Sequence, residues 1–141
     1  MIFVLLQFML IALLILSANF SNIGLNYILL ATSIIIGLIA VKDMKMQNLN
    51  VIPELRKNHI FINTGIYKYI RHPMYLAIFI FALFLVLNNI SIFAIFIYFS
   101  LIVTLYLKSN LEEKYLVERF SNYVDYKIKT GRFFLKFYKQ K

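Results

Sequence analysis

The chain is 141 residues long, 62% hydrophobic, with a mean hydropathy of +0.78 and a formal net charge of +9. Soluble domains are seldom more than half apolar, so the excess marks a single-domain integral membrane protein. The sequence has no cysteine, which excludes disulfides, thiolate metal sites, a cysteine nucleophile and cysteine-linked lipidation.

The first apolar run, Ile2–Ala18, is interrupted only by Gln7 and Ser17. It lacks the basic flank of a secretory signal and reads as a retained anchor. After the link "NFSNIG" comes the second run, Leu25–Val41. A polar segment follows, punctuated by Pro53 and Gly65. The third run, Tyr75–Leu87, has 13 residues and gives about 20 Å of helix, too short to span a bilayer alone. It either recruits residues upstream or forms a shallow hairpin with the fourth run, Ile90–Leu107. Beyond it, Asn110 is placed to cap an amphipathic helix with Glu112 and Glu113 in its first turn. Leu111, Tyr115, Leu116, Phe120, Tyr123 and Val124 share one face of that helix, which Gly131 ends. The tail "RFFLKFYKQK" has the mixture of aromatics and lysines found in interfacial segments.

All 15 Lys and Arg and all six acids lie within Lys42–Arg71 or Lys108–Lys141. Confinement of positive charge to two polar segments is the positive-inside pattern, and it accounts for the basicity without nucleic acid as a partner. These segments flank the third and fourth runs, so both belong on the cytoplasmic side. The expected architecture is all-α and polytopic, with about four hydrophobic helices, a C-terminal cytoplasmic amphipathic helix, and both termini cytoplasmic. It divides into two transmembrane helices (1–41), a cytoplasmic loop (42–73), a hydrophobic hairpin (74–107) and a cytoplasmic helix and tail (108–141).

The stretch "HIFINTGIYKYIRHPMY", His59–Tyr75, carries the polar groups at the mouth of the third run. Each residue alone has a plain reading. Pro73 suits a first helical turn, Tyr67, Tyr69 and Tyr75 suit an aromatic belt, and Lys68 and Arg71 snorkel. The joint pattern resembles the signature of the isoprenylcysteine carboxyl methyltransferase family and its phospholipid methyltransferase relatives. In that signature a His and a Gly-x-Tyr precede Arg-His-Pro-x-Tyr. An acidic pair, a Phe and two spaced tyrosines then follow one hydrophobic hairpin later. Here the first part is His59, Gly65, Tyr67, Arg71, His72, Pro73 and Tyr75, and the second is Glu112, Glu113, Phe120, Tyr123 and Tyr126. "KTGRFFL", Lys129–Leu135, is similar to the family's closing turn.

The resemblance implies methyl transfer from S-adenosylmethionine to a lipophilic or lipidated acceptor at the cytoplasmic face of the bilayer, with no metal. Such an acceptor is a prenylated cysteine carboxylate or a lipid amine, and the cations Lys129 and Arg132 after the tyrosine pair favour the carboxylate. By the same resemblance the cofactor would lie against His59, Ile60, Phe61 and Ile62, against Gly65 and Tyr67, and against His72, Pro73, Met74 and Tyr75. Glu112 or Glu113 would accept from its ammonium or ribose. Arg71, Lys129 and Arg132 form the expected catalytic set. The last two stand near where eukaryotic relatives place a substrate-facing arginine. Relatives that methylate lipid amines, superfamily reductases that use a nicotinamide cofactor, and a non-catalytic membrane scaffold are the alternatives left open.

Overall fold

A computed structural model describes residues 2–20, 24, 26–44 and 60–136. Five α-helices follow in chain order: α1 (Ile2–Ser17), α2 (Tyr27–Met44), α3 (Pro73–Asn88), α4 (Ile92–Arg119) and α5 (Tyr123–Lys129). A 3-10 turn, Gly65–Lys68, precedes α3. The described residues form no strand, only an isolated parallel bridge between Ile70 and Gly131.

The third apolar run gains length at both ends. Pro73 opens α3, where its missing N–H removes no helical hydrogen bond, and the helix continues to Asn88, giving 16 residues. The turn into α4 is fixed by side chains: Asn88 Nδ2 donates to the Phe84 carbonyl at 2.8 Å, and Asn89 Nδ2 to the Ser17 carbonyl at the end of α1 at 2.6 Å. Ser91 caps α4 by accepting from the Ala94 N–H at 3.1 Å.

One boundary differs from the sequence reading. Asn110 does not start a new helix, because α4 runs without interruption for 28 residues. No Gly or Pro stands between Leu107 and Glu113 to break it. The Asn110 side chain accepts from Arg132 Nη1 at 2.6 Å instead of capping. At 1.5 Å per residue α4 is about 42 Å long, against about 30 Å of bilayer hydrocarbon. Its polar C-terminal turns therefore extend past the apolar part, with Glu112 and Glu113 on them. The segment expected as one amphipathic helix is divided between these turns and α5, because Phe120 takes an extended conformation (φ −124°, ψ 109°).

Helix α2 packs along α3, α1 along α4, and α3 joins the two pairs. The core lies between them, with Leu10 and Leu14 of α1, Phe79, Ala82, Phe84 and Leu85 of α3, and Ala94, Ile97, Leu101 and Leu105 of α4. The outward faces are also apolar: Leu5, Phe8 and Leu16 on α1, Ile34, Ile35 and Leu38 on α2, and Ile92, Phe96 and Phe99 on α4. A bundle that is oily inside and out is built for lipid. Among the described residues α2 and α4 are long and apolar enough to cross a membrane, while α1 and α3 are apolar but shorter.

Candidate active site

The polar end of the bundle is assembled from three pieces distant in sequence: the loop before α3, the last turns of α4, and α5 with the strand-like residues after it. Backbone pairing joins the first and third. The Arg71 N–H donates to the Gly131 carbonyl at 2.9 Å and the His72 N–H to the Arg132 carbonyl at 3.0 Å. The Tyr75 and Leu76 N–H groups both turn back to the His72 carbonyl, at 3.1 and 3.2 Å. Most of the N–H groups at the mouth of α3 therefore have partners within the chain.

Upstream, Gly65 takes the left-handed conformation (φ +59°) that favours glycine. A Cβ there would fall onto the Asp43 carboxylate, which accepts from the Ile66 N–H at 2.8 Å. Asp43 of α2 thus pins the loop. Tyr67 is buried, its hydroxyl 3.4 Å from the Ala40 carbonyl, and its own carbonyl accepts from the Tyr126 hydroxyl. Phe61 sits among Phe120, Tyr123 and Tyr126, with ring centroids 5.8, 5.5 and 5.1 Å away. Burial pushes the Tyr67 phenol far above its usual range, with Tyr126, Asp43 and Glu112 adding to it, and burial with Glu113 nearby does the same for Tyr123. Burial does the same for Tyr126. All three are neutral hydrogen-bonding groups at any physiological pH.

Glu113 is the electrostatic centre, with only 1% of its surface exposed. Its Oε1 accepts from Arg71 Nε at 2.8 Å and lies 3.3 Å from His72 Nε2. Its Oε2 meets Lys127 Nζ and Arg132 Nη2, each at 3.0 Å. Three cations around one carboxylate keep it ionised and offset the cost of its burial. Arg71 Nη1 also donates to the carbonyls of Lys127, at 2.9 Å, and Thr130. Through its Nε and Nη1 donors Arg71 thereby clamps α5 onto the loop.

Glu112 stands differently. One oxygen accepts from the Tyr75 hydroxyl at 2.6 Å, and the other is 3.6 Å from His72 Nδ1, beyond ordinary hydrogen-bond length. Its side chain is 19% exposed, so it retains acceptor capacity toward solvent. The imidazole of His72 stacks on the Tyr75 ring, centroids 5.2 Å apart and 7° from parallel, and Phe133 leans on both.

The two halves of the signature therefore meet: Arg71, His72 and Tyr75 with Glu112, Glu113 and Arg132. Pro73 is buried and Met74 partly so behind them, while Ile60 and Gly65 are exposed and Ile62 is partly exposed at the loop's outer edge. His59 lies outside the described residues. Lys129 is exposed and takes no part in the ion pairs found among the described residues. Lys127, two residues before it, is the lysine that pairs with Glu113. The signal was helical spacing: Lys127 is four residues from Tyr123 and shares its face, whereas Lys129 is turned about 200° from Lys127. Asp43 left no such signal, since its role depends on the path of the loop.

Two comparisons bear on this arrangement. The profile of the isoprenylcysteine carboxyl methyltransferase (ICMT) family matches residues 25–118. The chain is also similar to "Protein-S-isoprenylcysteine O-methyltransferase" of Saccharomyces cerevisiae (strain ATCC 204508 / S288c), 39% identical over 82 residues. That match covers 52% of this chain and 32% of the yeast protein, so the chain aligns with about a third of its relative's length.

Proposed function

The chain belongs to the isoprenylcysteine carboxyl methyltransferase family, and on that premise we propose that it is a membrane methyltransferase. It uses S-adenosylmethionine and acts on a lipophilic acceptor, a carboxylate such as a prenylated cysteine. The observation that carries the reading is the meeting of Tyr75 and His72 with Glu112 at the polar end of an apolar bundle. A water-soluble cofactor and a bilayer-held acceptor have to meet at such a boundary.

The residues present suit the cofactor. Glu112 has acceptor capacity for an ammonium or a ribose hydroxyl, and the partly buried Phe61 ring offers apolar surface for a purine. When bound, S-adenosylmethionine supplies an electrophilic methyl group. Glu113, Arg71 and Lys127 act by position, holding α4, the loop and α5 in register so that Glu112 and His72 face one space. A carboxylate acceptor is ionised at neutral pH and needs no general base, only a cation to hold it in line. The charge distribution supports a multi-pass protein with this end, and both termini, on the cytoplasmic side.

The reading is tested by titrating the detergent-purified protein with tritiated S-adenosylmethionine and, separately, with NADPH. Saturable binding of the first and none of the second is expected. The reverse result would assign the chain to redox chemistry.

A further inference from the structure

Lys108 has an unusual position among the basic residues of this end of the bundle. Arg71, Lys127 and Arg132 all share Glu113. Lys108 is 3% exposed, and none of the ion pairs within 4.0 Å among the described residues includes it. Its Nζ donates to Gln7 Oε1 of α1 at 3.1 Å and lies over the Tyr75 ring, 5.2 Å from the centroid. Gln7 is itself buried, the one polar side chain of α1 besides Ser17 at its end.

An ammonium has three donors, and here one meets an amide oxygen. A buried cation without a carboxylate is costly, and the cost is offset when an anion arrives. The two sides of Lys108 differ in chemistry. On one, across the Tyr75 ring, is the Glu112 carboxylate bound to the Tyr75 hydroxyl. On the other is the Gln7 side chain of α1, away from the carboxylates.

We propose that Lys108, oriented by Gln7, is the cation that receives the acceptor's carboxylate, in place of Lys129 and Arg132. This rests on the methyltransferase reading given above. Arg132 is bound to Glu113 and Asn110, with its guanidinium over the Tyr106 ring, and Lys129 stands outside the cluster. A methyl ester is neutral, so the same contact favours the acid over its product.

The test compares binding of N-acetyl-S-farnesylcysteine with binding of its neutral carboxamide, without cofactor, to the full chain in nanodiscs. The variants are Lys108→Met and the pair Gln7→Leu with Lys108→Met. The paired change removes both polar partners together, which avoids leaving a buried group unsatisfied. The native protein should bind the acid about 10- to 150-fold more tightly than the carboxamide, the range for a charge-assisted hydrogen bond. In the paired variant the ratio should fall to within about twofold, with carboxamide affinity kept. Lys108→Arg should restore a preference for the acid. A paired variant that keeps the native preference makes Lys108 a helix strut only and overturns the proposal. So does a native protein that fails to discriminate. A parallel S-adenosylmethionine titration separates the two claims: loss of cofactor binding in the native protein would sink the methyltransferase reading, while the acid-to-carboxamide ratio alone decides Lys108.

Discussion

Glu112 and Glu113 are adjacent in sequence and separated in role by the helix that carries them. One residue along α4 rotates a side chain by about 100°. Glu113 is thereby turned inward onto Arg71, Lys127 and Arg132, and Glu112 toward Tyr75 and the solvent edge. The two should respond to mutation in opposite ways. Glu113→Gln leaves three cations crowded without their anion and should destabilise the protein by about 3 to 5 kcal/mol, read as a large fall in melting temperature in detergent. Glu112→Gln should leave the melting temperature nearly unchanged and weaken S-adenosylmethionine binding about 10- to 150-fold. The opposite pattern would exchange their roles. The sequence marked this pair but did not divide it, because the division depends on which face of α4 meets α5. Lys127 was missed for the same reason, and Lys108 was read only as one of many basic residues behind a hairpin.

At the scale of elements, the loop before α3 depends on a glycine. Gly65 is held at φ +59°, and Asp43 occupies the space where a side chain would begin. Gly65→Ala adds about 1–2 kcal/mol of backbone strain and displaces the acceptor of the Ile66 N–H. If the loop shapes the cofactor site, S-adenosylmethionine affinity should fall about 5- to 30-fold, while α1 to α4 keep their helical circular dichroism. Unchanged affinity would detach the loop from the site. The turn at Gly65, the start at Pro73 and the stop at Asn88–Asn89 were all legible, because each rests on local backbone chemistry. The continuity of α4 was not. Asn110 followed by two glutamates has the form of a helix start, but an apolar helix already under way overrides a capping preference.

For the whole molecule, composition and charge placement carried the most information. Four apolar runs and two basic segments gave the helical bundle and the end where its polar site lies. They could not give the pairing of α2 with α3 and α1 with α4, since apolar faces of similar width do not specify their partners. The central claim is that this polar end transfers a methyl group to a carboxylate held at the bilayer surface. The most direct measurement incubates the purified chain in nanodiscs with methyl-tritiated S-adenosylmethionine and N-acetyl-S-farnesylcysteine. Label is expected in the lipid-soluble product, released by base as volatile methanol, the mark of a methyl ester. Label that resists base and appears only on lipid amines, or no transfer by a protein that binds both compounds, would contradict the claim.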